Sequence, residues 1–274
     1  MRKLIFGICL LAAFSSFEAL AQKRLTIIHT NDTHSHLEPI ASGADKGMGG
    51  VIERAAYIDS VRRADGRRNV LLLHAGDFSQ GTSYFPVLHG DIEIDLINAL
   101  KYDCVVLGNH EFDNGIEELG RRLSRIKCPV VCANYDLSPF EAGKYVRPYA
   151  ILHKAGRKIG IFGLLTDLSG FVKRSIYEQL VCRDMAEVAN HWADYLKNEE
   201  RCDLVIALTH IGFEKETFTD PMLVRATRNI DLVVGGHSHT FLEQIQYETD
   251  LDGRTVPIVQ DGCWGLFLGN LKIQ

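Results

Sequence analysis

The stretch Val70-Leu71-Leu72-Leu73 carries no polar residue at either parity, and this restricts the fold more than any other feature. A strand with one wet face alternates apolar and polar side chains, so a wholly apolar run belongs in a sheet covered on both faces. The runs at 104–107 and 204–208 repeat the pattern. Helical periodicity fills the intervals. Val51, Ile52, Ala55, Ile58 and Val61 share one predicted face, opened after Gly47-Met48-Gly49-Gly50 and stopped by Asp65-Gly66. Ile92, Ile94, Leu96, Ile97 and Leu100 predict a second helix, and 115–123 a third. With a β-branched run at 25–28 in front and another strand at 129–132 behind, the alternation implies a parallel sheet with right-handed crossovers.

The second half reads differently. Segments 149–153 and 158–165 flank Ala155-Gly156-Arg157, a hairpin signature. A helix at 185–197 and strands at 204–208 and 232–234 follow. The tail, 244–246, 256–259 and 266–273, reads as antiparallel strands divided by Asp252-Gly253 and Asp261-Gly262. The expected fold is a mixed α/β sandwich, parallel in its first half, with no internal repeat.

At the start, Arg2 and Lys3 precede an apolar run over 4–14, and Ala19-Leu20-Ala21 follows. This is the layout of a secretory signal peptide, 1–21, cleaved after Ala21. The run is shorter than the roughly 20 residues of a spanning helix. An exported, periplasmic protein made of one domain, 22–274, is expected. The net charge of −5 is spread along the chain and gives no footing for nucleic acid or a membrane surface. Without Cys9 the cysteines are Cys104, Cys128, Cys132, Cys182, Cys202 and Cys263. An even count permits disulfides in an oxidising compartment, but several lie in apolar runs where cysteine also serves as a small hydrophobe.

The chemistry sits where strands end. The first runs into His29-Thr30-Asn31-Asp32-Thr33-His34-Ser35-His36, the second into His74-Ala75-Gly76-Asp77, and the third into Gly108-Asn109-His110-Glu111-Phe112-Asp113. Thr209-His210 and Gly235-Gly236-His237-Ser238-His239 end two later strands. Gly108 is expected to let the backbone turn sharply. One histidine or aspartate at a strand end is ordinarily a cap or a satisfied polar group. Five such ends in succession place Asp32, His34, Asp77, Asn109, His210, His237 and His239 on one edge, where ligands of open α/β sheets gather. No thiol contributes, and mixed carboxylate, imidazole and amide donors suit catalytic zinc, manganese or iron better than a structural zinc.

The order Asp32-Thr33-His34, Gly76-Asp77, Gly108-Asn109-His110-Glu111, His210, Gly236-His237-Ser238-His239 resembles the calcineurin-like metallophosphoesterases. His29-Thr30-Asn31-Asp32, Gln80-Gly81-Thr82 after Asp77, and Asn109 through Asp113 look like the 5′-nucleotidase branch. The resemblance implies a four-layer α/β/β/α sandwich of mixed sheets. It also implies two divalent metal ions, one held by Asp32, His34, Asp77 and His239, the other by Asp77, Asn109, His210 and His237. Asp77 would bridge them, each oxygen facing one cation, and a metal-bound hydroxide would attack phosphorus. His110 would stand beside the phosphate, stabilising charge or protonating the leaving oxygen, with Asp113 orienting it. A helix N-cap is the alternative reading of Asp113. His29 and His74 are expected to support or pack, and His36, His89, His153 and His191 to lie at the surface or be satisfied. Glu38 and Glu111 are candidates to steady metal-bound imidazoles.

The branch carries a second, C-terminal domain that grips the nucleoside, whereas this sequence stops at what looks like the last strand of the catalytic domain, so the nucleotide-binding domain is expected to be absent. The implied activity is a secreted dinuclear-metal phosphoesterase acting on phosphomonoesters, 5′-nucleotides foremost. Its rivals are a 2′,3′-cyclic nucleotide phosphodiesterase or nucleotide pyrophosphatase on the same site, and a metal-containing subunit that joins a separate nucleoside-binding chain and has little activity alone.

Overall fold

The computed structural model describes residues 24–273; the expected signal peptide lies outside the described residues. In chain order the elements are β1 (Leu25–Thr30), α1 (Val51–Asp65), β2 (Val70–His74), α2 (Tyr84–Leu88), α3 (Asp91–Leu100), β3 (Cys104–Val106), α4 (Ile116–Leu123), β4 (Val130–Val131), β5 (Val146–Arg147), β6 (Tyr149–Lys154) and β7 (Arg157–Leu165). They continue with α5 (Arg174–Tyr177), α6 (Met185–Asp194), β8 (Leu204–His210), α7 (Asp220–Arg225), β9 (Leu232–Val234), β10 (Gln246–Thr249), β11 (Thr255–Val259) and β12 (Gly269–Ile273).

Leu71, Leu72 and Leu73 are all buried because successive side chains enter different cores. Leu71 and Leu73 join Leu25, Ile27, Val106, Ile161, Ile206, Leu208 and Val234 between two sheets. Leu72 points the other way, with Ile28 and Val105, onto Ile58, Ile94, Ile97, Leu119 and Leu123 of α1, α3 and α4. The second sheet repeats the arrangement, packing Phe162, Val205, Ala207 and Val233 on Ala189 and Ala193 of α6 and Leu223 and Val224 of α7. The result is the expected four-layer α/β/β/α sandwich. One sheet runs β12-β1-β2-β3-β4-β5 and the other β10-β11-β9-β8-β7-β6. Both are parallel at their centres: β1 to β5 through successive parallel pairs, and β7, β8, β9 and β11 likewise.

Three local expectations need correction. Parallel pairing is not confined to the first half. The tail strands also part company: β10 and β11 pair antiparallel in the second sheet, whereas β12 crosses to pair antiparallel with β1. Turn residues separate strands but do not choose their partners. Finally, α1 does not bury the predicted stripe. Ile52 is 73% exposed while Arg54 is 5% exposed and donates to the His36 carbonyl at 2.7 Å. That helix face is set by Ile58, Val61 and a guanidinium recruited to hold the first loop. The 155–156 turn closes β6 onto β7 with both residues at positive φ, as the primed hairpin turn requires. The six described cysteines are free, with Cys104, Cys132 and Cys202 buried.

Candidate metal centre

Because both sheets are parallel at their centres, β1, β2 and β3 deliver their carboxyl ends to the same edge as β8 and β9. Backbone bonds then lock the loops. Asp32 N–H donates to Gly76 O at 3.0 Å and His34 N–H to Asp77 O at 3.0 Å. Asp32, His34, Asp77, His237 and His239 all have left-handed backbone, with φ of 48°, 45°, 52°, 83° and 54°. Non-glycine residues seldom adopt it, and the surrounding lattice must hold them there. No periodicity in the sequence announces such strain.

Asp77 spends one oxygen on a protein donor and turns the other inward, while Asp32 shares the His237 N–H between its two oxygens, with Oδ1, at 3.2 Å, also facing the cluster. Asp32 Oδ2 accepts from Asn31 Nδ2 at 2.6 Å and from His237 N–H at 2.9 Å. Its Oδ1 lies 3.4 Å from His239 Nε2, 3.8 Å from His34 Nε2 and 3.9 Å from His210 Nε2. Asp77 Oδ1 accepts the His110 N–H at 2.9 Å, leaving Oδ2 alone 3.1 Å from His210 Nε2 and 3.9 Å from His34 Nε2. The expected division of Asp77's two oxygens between two cations therefore does not match this geometry: Oδ2 faces both halves of the cluster. His34 Nε2 and His239 Nε2 approach to 2.9 Å.

The imidazoles are oriented from behind. His210 Nδ1 donates to Ala75 O at 2.7 Å and His34 Nδ1 to Ser79 O at 3.3 Å, which frees each Nε2 to face inward. Asn109 Oδ1 and His237 Nε2 are buried without a hydrogen bond, and the buried His210 Nε2 faces only Asp77 Oδ2 at 3.1 Å and Asp32 Oδ1 at 3.9 Å. Buried polar atoms left unpaired cost about 1–3 kcal/mol each, and Asp77, His210 and His237 offer ligand atoms within 4.8 Å of one another, as a cation site would require. The donors form three overlapping groups, Asp32 with His34 and His239, His34 with Asp77 and His110, and Asp77 with His210 and His237, each within 4.8 Å. The field agrees. Burial opposes charge on His210, but Asp77 and Asp32 overrule it and push its pKa up to about 10. Burial alone would raise Asp77, yet His210 beside it holds the carboxyl well below the usual range. The hydrogen bond that His239 donates to Asp32 raises its pKa to about 10, while burial depresses His237 to about 4.

His110 stands at the rim. Its Nδ1 and Asp113 Oδ2 are 2.7 Å apart, and both side chains are about a quarter exposed, at 27% and 24%. The N-cap position of α4 is Gly115, so Asp113's carboxylate serves His110 and not that helix. His110 also lies within 4.8 Å of donor atoms of His34 and Asp77. Burial opposes its protonation, but Asp113 and then Asp77 carry its pKa above the ordinary value.

Several supporting residues differ from expectation. Gly108 is extended, at φ −101°, and makes no left-handed turn; a Cβ there would come 2.1 Å from Asp77 Oδ1. Glycine is required for close approach. Glu111 steadies no imidazole. Its carboxylate accepts the backbone N–H groups of Gly108 at 2.7 Å, Asp77 at 2.9 Å and Ser79 at 3.0 Å, tying the second loop to the third. Glu38 is exposed and accepts from Tyr84 Oη at 3.0 Å. His29 pairs with Asp261 at 2.6 Å and His74 meets Thr33 Oγ1 at 3.1 Å, both in supporting places. His36 stacks on Trp264, with centroids 5.0 Å apart, and His89, His153 and His191 are exposed. Two residues escaped notice. Arg122, 1% exposed, reaches Ser79 Oγ at 3.0 Å and the Glu111 carbonyl. Gln260 accepts Thr240 N–H at 2.7 Å and donates to Gly236 O at 3.1 Å. It directly follows β11, so the strand-end rule would have found it; nothing local signals Arg122.

A family model for calcineurin-like phosphoesterases matches residues 25–241. The chain belongs to this family. Human 5′-nucleotidase is 38% identical over 91% of this chain and 46% of that relative. The solved 5′-nucleotidase precursor of Thermus thermophilus superimposes with a TM-score of 0.82 at 32% identity, over 92% of this chain and 51% of that one. The NAD nucleotidase of Haemophilus influenzae gives 0.79 at 29% identity, over 91% and 47%. The chain thus spans about half the length of these family members. They carry the remainder in the same polypeptide, which gives the expected separate nucleoside-binding chain no support. Membership of the family implies divalent metal, and the donor set described above fits that requirement. Among the described residues no helix is long and apolar enough to cross a membrane.

Proposed function

We propose that this chain is an exported two-metal phosphoesterase that hydrolyses phosphomonoesters, 5′-nucleotides foremost. The observation that carries the reading is the gathering of ligand atoms of Asp32, His34 and His239, and of Asp77, His210 and His237, each set within 4.8 Å, where Asp77 Oδ2 lies 3.1 Å from His210 Nε2 and His237 Nε2 is buried and unpaired. Asp32, His34, Asp77 and His239 would hold one divalent cation, and Asp77, Asn109, His210 and His237 the second. Cations bound there supply a Lewis acid for the phosphoryl oxygens and lower the pKa of water. The protein's own part is orientation and proton supply. Nδ1 of His110 is engaged by Asp113, so Nε2 is the nitrogen free to meet the phosphoryl group or the departing oxygen. The Asp113 carboxylate fixes the ring and favours its charged form, so a proton is held where negative charge develops.

Likeness to the Haemophilus NAD nucleotidase favours a second reading, cleavage within a dinucleotide at the same centre. Rates of the metal-loaded chain on AMP, a 2′,3′-cyclic nucleotide, NAD and an aryl phosphate separate the two. Release of inorganic phosphate from AMP with the highest kcat/KM supports the monoesterase. Cleavage of NAD or the cyclic ester with AMP left intact would overturn it.

A further inference from the structure

A small cavity of about 20 Å³ lies between the first donor loop, which contributes Thr33, Ser35 and His36 to its wall, and side chains of β2, α1 and α3. About 10–15 Å³ is enough for one water molecule, provided two to four polar groups receive it. Three side chains of the opposite wall meet that condition, because each spends one atom on the loop and leaves another buried without a partner. His74 Nε2 meets Thr33 Oγ1 at 3.1 Å, while its Nδ1 is unpaired. Glu93 Oε1 accepts from Ser35 Oγ, while its Oε2 is unpaired. Arg54 Nη2 donates to the His36 carbonyl at 2.7 Å, while its Nε is unpaired. The three residues are only 1%, 3% and 5% exposed, so bulk solvent does not serve these atoms. Their chemistry selects the occupant. The Arg54 Nε–H can only donate, which disfavours a cation, and the Glu93 carboxylate accepts, which disfavours an anion. Burial, and then the charge of Arg54, holds His74 down to about 3, so its neutral ring offers one donor and one acceptor nitrogen.

We propose that one internal water occupies this cavity, accepting from Arg54 Nε–H and donating to Glu93 Oε2 and His74 Nδ1, and that it ties the first donor loop to β2, α1 and α3. The His74 Nε2–H then donates to Thr33 Oγ1. Asp32, His34 and Ser35 all carry left-handed backbone in this loop, at φ of 48°, 45° and 54°. Such a conformation persists only where the surroundings over-determine it. Thr33, Ser35 and His36 are each anchored by one of the three side chains, and the water joins those anchors to one another. It would be held whether or not the centre hydrolyses phosphate esters.

High-resolution diffraction from crystals of the full chain reads the site directly. One density peak is expected within about 2.7–3.2 Å of Arg54 Nε, His74 Nδ1 and Glu93 Oε2. No peak there, or direct bonds among the three side chains in its place, overturns the proposal. Arg54→Lys keeps a charged donor for the His36 carbonyl but removes the Nε–H, so the peak should be lost. Calorimetric titration with manganese adds a solution readout. Arg54→Lys should weaken the cation held at Asp32, His34 and His239 about 10-fold, as for a lost supporting contact. Ile58→Val, a core change in the same helix, should leave that affinity unchanged. A peak that survives Arg54→Lys, or equal cation affinity in Arg54→Lys and wild type, overturns the link between the water and the donor loop.

Discussion

Replacing Glu111 with glutamine tests how the loops are held, because it changes one atom and little shape. The carboxylate of Glu111 accepts three buried backbone N–H groups, Oε2 taking Gly108 and Asp77 and Oε1 taking Ser79. An amide oxygen can keep the first pair. Its NH2 then faces the Ser79 N–H, donor against donor, and orphans a buried group at a cost of about 1–3 kcal/mol. The two bonds that remain lose the charge that roughly doubles their strength, about 1 kcal/mol each. Against this, burial and then repulsion from Asp77 push the Glu111 carboxyl up to about 7, so removing the charge recovers part of the loss. The net is about 2 kcal/mol, or roughly 4–8 °C in Tm for a domain of this size. Asp77 and Asn109 hang from the same backbone, so metal affinity should fall about 10–100-fold, as when a supporting partner of a ligand is lost. Thermal unfolding and calorimetric metal titration read both effects. A Glu111→Gln chain with unchanged Tm and metal affinity refutes the view that this carboxylate clamps the loops.

Three further outcomes follow from the same geometry. His110→Ala should lower kcat by about 10²–10³-fold with metal content unchanged; Asp113→Asn should do so by less, since the ring remains. Gly108→Ala should lose metal without losing the fold, because the added Cβ would sit against Asp77 Oδ1; a fully metallated variant counts against close approach as the reason for glycine. Burial raises Asp220 to about 7, with Thr209 Oγ1 on one oxygen at 2.6 Å and the other oxygen unpaired. Its neutral form is the one the fold favours, so the stability it contributes is complete below the unfolded pKa and is lost as pH rises through about 7. The loss is on the order of 4 kcal/mol at the alkaline end. Asp220→Asn should flatten the fall in unfolding free energy between pH 4 and 8, and an unaltered pH profile would contradict the assignment.

How much of this was legible in the sequence depended on range. Wholly apolar runs such as 70–73 reveal strands with two covered faces, and so imply a layered sandwich before any contact is known. The strand-end rule gathers Asp32, Asp77, Asn109, His210 and His237 because parallel pairing puts carboxyl ends on one edge. Partner choice is a different matter. That β12 crosses to β1, or that β9 lies beside β11, is decided by pairing across long stretches of chain, which turn residues do not encode. Periodicity also misjudged α1, where Arg54 is buried to reach a loop carbonyl while Ile52 faces water. Glu111 was visible as a residue but not in its role, since two of its three partners are backbone groups 32 and 34 positions away. The strained backbone at five of the donors leaves no mark in composition at all.

The central claim is that two cations share this centre through Asp77. Anomalous diffraction from crystals of the full chain grown with manganese or zinc tests it in one map. Two peaks are expected about 3.5–4 Å apart, one against Asp32, His34 and His239 and the other against Asn109, His210 and His237, with Asp77 touching both. A single peak, or two peaks of which Asp77 touches only one, would contradict the account.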